Sequence, residues 1–430
     1  MKSFFTVIIS VLLNLFGNVV AQKPTEDFSG DVAIDWFQLQ VDIIPSTDGF
    51  TPPVSARALG YSGLTLYEAV VHGSDNYKSL RGTLNELDKI PEPEKGTYNW
   101  AIVANTAMAE ITSYLYSNTS EANKLCIKEL ADKNYHRYGF RSDERTLKNS
   151  VNYGKSIAKA IHNYSKKDGG HESQFNNFPD SFKIQPGACM WVPVGEQKAL
   201  QPYWGNNRTF IEGTADFHLP LPHHCGIGNS SILYVQALEV YSIGEHLTTE
   251  QKDIAKFWSD DPGTTFTPPG HGVSIANQLI KKEGFDLMKS AEVYCRVGIA
   301  ASDAFISCWK CKYKFSTLRP VTFINTIIDT KWSAYLPNPP FPEYTSGHAT
   351  VSGAIAIVLS DTFGYNYAFT DYSHINKDYE PRSFENFWEY ANEAAMSRLY
   401  GGIHYRSSND NGLINGKRIG QAACRLKLKI

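Results

Sequence analysis

The sequence predicts an all-α fold, a helical bundle, and three observations carry that reading. Apolar residues recur three and four apart over long windows, alternating strand patterns are scarce, and hydrophobic residues make up 42% of the chain, enough for a large core. The first windows are 54–71, 98–115 and 147–164. A long irregular region follows at 168–229, rich in Gly, Pro, Asn and Trp. A stretch of that length is either a rim or lid over a site or an excursion packed by its own aromatics. Within it, 183–194 is the one candidate extended piece. Helical periodicity resumes at 232–243, pauses in a loop at 262–271 that carries Pro262, Pro268 and Pro269, and returns at 275–280 and 287–309. The last is the longest stripe, from Met288 to Trp309. Windows at 349–359, 384–399 and 412–426 complete the set.

Residues 1–21 read as a signal peptide. Lys2 supplies the positive end, the apolar run at 4–15 is short for a membrane span, and Val19-Val20-Ala21 resembles a small-residue cleavage site near Ala21. The mature chain would then be 22–430, a single all-α domain that is secreted or periplasmic. No later segment has the roughly 18 consecutive apolar residues of a span. With 41 Lys+Arg against 44 Asp+Glu, the chain has no basic excess for wrapping nucleic acid. Seven cysteines are an odd number, so at least one thiol stays free or pairs between chains. Cys308 and Cys311 sit in a helical pattern and read as small residues of one helix rather than a redox pair.

Three short segments carry candidate chemistry. Lys312 and Arg319-Pro320 lie just past the expected end of the long helix, Ser346-Gly347-His348 precedes an apolar run, and Ser397-Arg398 leads through Gly401-Gly402 to His404. Singly, each has a bland explanation as a helix-terminal cation, a cap or a helix stop. Together they gather three cations from separate segments, a helix N-terminus with free amides, a hydroxyl and two histidines. Such a set suits a tetrahedral or trigonal-bipyramidal oxyanion.

These residues resemble the signature shared by vanadium-dependent haloperoxidases and type 2 phosphatidic acid phosphatases, Lys-x6-Arg-Pro, then Pro-Ser-Gly-His, then Ser-Arg-x3-Gly-x-His-x3-Asp. The match spans 312–404. Flanking text, notably Phe257-Trp258-Ser259-Asp260-Asp261-Pro262-Gly263 and Phe266-Thr267-Pro268-Pro269-Gly270-His271, is similar to an exported bacterial haloperoxidase-like branch. The resemblance implies an all-α fold and one vanadate per chain, held by Lys312, Arg319, Ser346, Gly347 and Arg398. It further implies His404 as axial metal ligand and His348 as the acid–base group. At the start of its helix the dipole disfavours a protonated His348 ring and a nearby anionic vanadate favours one, which predicts a pKa near the working pH with vanadate bound. Substrates would be hydrogen peroxide, a halide and a small organic acceptor. Trp309, Lys310, Tyr344 and the 168–229 region are the candidates for setting halide choice.

Two positions depart from the pattern. Thr345 stands where the family has Pro, and Ser408 where it has the Asp that supports the ligand histidine. Asp410 reads as a helix cap in the 407–412 run, or as a substitute carboxylate. Haloperoxidase is the leading reading. The alternative is an acid phosphatase acting through a phosphohistidine at His404, with His348 protonating the leaving oxygen. The absence of a carboxylate weighs against it, because a nucleophilic histidine needs an acid to fix its tautomer. A third reading, a non-catalytic oxyanion-binding protein, rests on Ser408 alone.

Overall fold

The computed structural model describes residues 22–430 apart from Pro186, His218 and Asp378, so the expected signal peptide lies outside the described residues. The N-terminal half holds α1 (Asp31–Ile43), α2 (Pro52–Val70), α3 (Trp100–Leu115), α4 (Glu121–Gly139) and α5 (Glu144–Ser165). Pro52 and Pro53 open α2, where a missing N–H is harmless. Asn99, Ser120 and Asp143 cap the next three through side-chain oxygens. Beyond the irregular region come α6 (Ile232–Glu245) and α7 (Thr249–Phe257), the latter begun by a Thr248–Gln251 capping box. Next stand α8 (Thr267–Glu283), α9 (Leu287–Phe315), α10 (Pro320–Ile327), α11 (Gly347–Phe363), α12 (Phe387–Tyr400) and α13 (Arg406–Cys424). Strand is confined, among the described residues, to β1 (Phe369–Asp371) and β2 (Arg382–Phe384), an antiparallel pair with Phe369 opposite Phe384.

The all-α expectation holds, with several local corrections. Lys312 lies in the last turn of α9, not past it, because that helix continues to Phe315 before Ser316 turns left-handed at φ 46°. The expected loop at 262–271 ends early, since α8 accepts Pro268 and Pro269 in its first turn and takes His271 into the helix. Asp410 is interior to α13, whose N-cap is Tyr405, so it caps nothing. The extended piece expected at 183–194 is a single bridge, Met190 to Thr317, because Cys189 is left-handed (φ 61°) and interrupts the run. Helix α12 begins only after Asn386, and Phe384 belongs to β2. Four helices escaped the apolar windows. Helix α1 interrupts its stripe with Gln40, which is buried and donates to Thr112 Oγ1 at 2.8 Å, and α4 buries only Ile127, Asn134 and Gly139. Helices α7 and α10 are nine and eight residues long, too short to show a period.

The core is organised around α9. It crosses α2 closely enough that a Cβ on Gly63 would fall 2.4 Å from the Tyr294 carbonyl, a contact only glycine permits. It also packs on α11, which is clamped against α13 in the same way, a Cβ on Gly416 falling 2.2 Å from Thr350 O. A smaller apolar cluster of Leu233, Val240, Phe323, Trp332, Leu399 and Tyr405 sits beside the main core, joining α6 and α10 to the end of α12. The 168–229 region is tied down at both ends. Arg57 donates to Asp168 at 2.6 and 3.2 Å, and the buried Asp303 of α9 accepts from Phe210 N and Ile211 N at 2.8 and 3.0 Å. A Cys189–Cys225 disulfide closes its second half, while Cys308 and Cys311 are unpaired thiols on α9. Both sequence readings of this region apply to parts of it: Phe182 and Tyr203 pack edge to face within it, and Gln197 and Leu200 reach the pocket described next. Among the described residues no helix is long and apolar enough to cross a membrane.

Candidate active site

A cavity of about 240 Å³ opens where the N-terminus of α11 meets the C-terminal turn of α12 and the loop into α13. Gly347, His348, Arg398 and His404 line it, with Trp309 and Phe341 as aromatic walls. The chain builds each position locally. Ser346 caps α11 by accepting from Ala349 N at 3.4 Å, which leaves its O–H proton for another acceptor and the amides of Gly347 and His348 without intrahelical partners. A Cβ on Gly347 would meet only ring atoms of Trp309 and Phe305, at 3.7 and 3.8 Å. Packing therefore does not demand glycine there. Its effect is to keep room over the helix terminus for a ligand to approach the backbone. Gly401 ends α12, and Gly402 at φ 75° turns the chain so that His404 faces back into the pocket.

Lys312 and Arg319 are buried behind the pocket rather than on its lining. Lys312 Nζ donates to the carbonyls of Pro342 and Glu343, both at 2.9 Å. Arg319 donates to Phe341 O, Ile403 O and Pro342 O at 3.0, 2.8 and 3.4 Å, and its Nη1 lies 3.2 Å from His404 Nε2. Arg398 donates to Trp258 O at 2.9 Å, while its Nε is enclosed without a partner. His348 Nε2 is likewise enclosed and unpartnered. All seven residues singled out from sequence thus gather around one cavity, four on its surface and three supporting it. Of the halide-choice candidates, Trp309 lines the cavity, whereas Lys310 is paired with Asp216 and Tyr344 faces another crevice.

One residue of the site was not anticipated. Glu343, buried between the first two motifs, places Oε1 2.8 Å from His404 Nδ1 and 3.1 Å from Tyr405 N. It stands in for the carboxylate that Ser408 does not supply. Ser408 Oγ reaches Glu343 O at 3.4 Å and His404 Nδ1 only at 3.5 Å. The signal in the sequence was a lone acid in the apolar run Pro339-Pro340-Phe341-Pro342-Glu343-Tyr344. Two contacts then fix the His404 tautomer. A guanidinium can only donate, so Nε2 is the acceptor facing Arg319, and the proton sits on Nδ1 facing Glu343.

Burial sets the electrostatics. It pushes the Glu343 carboxyl up to about 7 against the pull of Lys312 and Arg319, and brings Lys312 down to about 7. Arg319 and Arg398 are lowered to about 10, again by burial, and remain charged. His404 is held well below the usual imidazole range by burial and then by Arg319 and Lys312. His348 is also held well below it, by burial and then by Arg398. The site is thus a desolvated cationic cavity with two neutral imidazoles, unpartnered donors and an open helix terminus. That combination fits a multiply charged oxyanion such as vanadate or phosphate.

Comparison with known proteins identifies relatives of the chain and of its fold. Residues 292–430 match the family model described as the VCPO second helical-bundle domain. The crystal structure of a bacterial vanadium-dependent iodoperoxidase superposes with a TM-score of 0.83 at 32% identity, covering 94% of this chain and 97% of that one. The vanadium chloroperoxidase of Curvularia inaequalis is 22% identical over 83% of this chain and 74% of its own length. A holo-type bacterial vanadium-dependent chloroperoxidase shares the fold, with a TM-score of 0.69 at 18% identity over 92% of this chain and 97% of that one.

Proposed function

The chain belongs to the vanadium-dependent haloperoxidases, and from that membership we propose that it oxidises a halide with hydrogen peroxide at a vanadate held in the Arg398–His404 pocket. The observation that carries the reading is the His404 tautomer: Nδ1–H is committed to Glu343, so Nε2 is the unprotonated nitrogen, set against the Arg319 guanidinium at 3.2 Å in a residue that lines the pocket. His404 Nε2 would hold the metal. Lys312, Arg319 and Arg398 would balance the anionic charge, and the Ser346 hydroxyl and Gly347 amide would donate to its oxygens. When bound, vanadate supplies Lewis-acid activation of peroxide without a change in metal valence. His348 takes the peroxide proton at Nε2 and returns it to the departing oxygen. Its lowered pKa keeps that nitrogen free to accept. The hypohalous product or its equivalent then reacts with a small organic acceptor. We further propose an exported protein, secreted or periplasmic, which the Cys189–Cys225 disulfide supports.

A second reading, phosphomonoester hydrolysis through His404, gains one observation. The carboxylate that seemed to be missing is present as Glu343, so its absence no longer counts against a nucleophilic histidine. The non-catalytic reading loses its ground by the same contact. A paired assay separates the two enzymes. Metal-free protein should not oxidise iodide, bromide or chloride until vanadate is added, and phosphate added first should block that recovery. Hydrolysis of a phosphomonoester with no halide oxidation after vanadate loading would replace the first reading by the second.

A further inference from the structure

A second buried polar cluster lies against the pocket, in the flanking motif that the oxyanion site does not use. The segment 258–266 joins α7 to α8, and Ser259, Asp260 and Asp261 form one wall of the cavity. The backbone is strained in this wall and where the segment enters α8: Asp260 has φ 47° and the β-branched Thr267 has φ 63°. Its Trp258 carbonyl accepts from Arg398 Nη1 at 2.9 Å and also faces the His348 ring. Two pocket residues are therefore oriented by this segment.

The segment is held in turn by His271 of α8. Asp260 Oδ2 lies 2.9 Å from His271 Nδ1, and Asp371 Oδ2 of β1 lies 2.7 Å from His271 Nε2. Asp260 Oδ1 also meets His374 Nε2 at 3.2 Å. Every member is at most 2% exposed, and the Trp258 ring stacks on His271 at 4.5 Å. Ionised carboxylates only accept, so a ring bracketed by two of them donates from both nitrogens and is an imidazolium. Buried ion groups of this kind seldom outperform apolar packing for stability alone. Without the histidine charge, Asp260 would stand as an uncompensated anion in the wall of a pocket built for anions.

We propose that His271, protonated on both nitrogens between Asp260 and Asp371, is a positioning residue for the oxyanion pocket: it pins the 258–261 wall that orients Arg398 and His348, and neutralises Asp260. Burial alone would lower the His271 pKa, but the two carboxylates outweigh it and carry it up to about 10. Asp371 is lowered, chiefly by His271 against its own burial. The inference rests on the oxyanion reading of the pocket.

The test compares vanadate affinity by equilibrium dialysis with melting in the absence of vanadate, for wild type, His271→Gln, His271→Gln/Asp371→Asn and Asp371→Asn. His271→Gln leaves two buried carboxylates unneutralised, and its affinity should fall about tenfold or more, in the range of groups that orient ligands. The double variant removes the Asp371 charge but still leaves Asp260 without a cation, so its affinity should lie above that of His271→Gln and below that of wild type. Asp371→Asn keeps Asp260 neutralised and should bind no more weakly than wild type, which retains a readout should His271→Gln fail to fold. In ¹⁵N-labelled protein at neutral pH, both His271 ring nitrogens should report attached protons. The inference is overturned if His271→Gln melts lower yet binds vanadate within twofold of wild type, or if the ring carries a single proton. It is equally overturned if Asp260, His271 and His374, close enough to share a cation, retain one zinc per chain that His271→Gln loses. If wild type binds neither vanadate nor inorganic phosphate, the proposed function falls first and this inference with it.

Discussion

Glu343→Gln isolates the charge that orients His404. The wild-type carboxylate accepts two buried bonds, from His404 Nδ1 at 2.8 Å and Tyr405 N at 3.1 Å. A glutamine oxygen can still accept both, so the loss is the difference between charge-assisted and neutral bonds, about 1–1.5 kcal/mol, or roughly tenfold in vanadate affinity. Glu343→Ala is harsher. It strands two buried donors at about 1–3 kcal/mol each and leaves the imidazole tautomer to the Arg319 contact alone, so affinity should fall about a hundredfold and the melting temperature with it. Ser408→Asp completes the cycle. In wild type it forces a second carboxylate against Glu343 and should weaken binding, but on the Glu343→Gln background it returns the family's own arrangement and should restore it. Affinity is read by equilibrium dialysis, and the His404 tautomer by ¹⁵N shifts. A Glu343→Gln protein with wild-type affinity and an unchanged tautomer would refute the argument, as would additive rather than compensating behaviour of the pair.

Further outcomes follow from the same geometry. His404→Ala should abolish vanadate binding, whereas His348→Ala should keep it and lose about 10²–10⁴-fold in turnover as a missing acid–base group; the reverse pattern in dialysis would show the roles misassigned. Asp410→Asn should change neither binding nor turnover measurably, because Asp410 faces Arg406 on its own helix and Glu239 of α6 rather than His404. His271 contributes stability fully below its unfolded value of about 6.5, and that contribution should drain away as pH rises through its folded value of about 10. Urea midpoints at successive pH values should therefore show the gap between wild type and His271→Gln closing upward, and a gap that widens with pH would contradict the imidazolium.

The sequence by itself determined the helical architecture wherever a stripe was long, as in α9 and α11, because burial of one helix face writes its period directly into the chain. It also determined which residue types gather at the pocket, since Lys312, Arg319-Pro320, Ser346-Gly347-His348 and Arg398 through His404 are local motifs with fixed spacing. Only the tertiary structure decided how they share the work. Lys312 and Arg319 sit behind the lining because the carbonyls at 341–343 and 403 claim their donors, a competition no spacing reveals. The partner of His404 is Glu343, 61 residues away, and not the position four residues on that periodicity would search. The Asp260–His271–Asp371 bracket likewise joins positions 11 and 100 residues apart. Helix periods are local and legible, whereas a buried charge takes as its partner whichever opposite charge the packing of distant segments delivers.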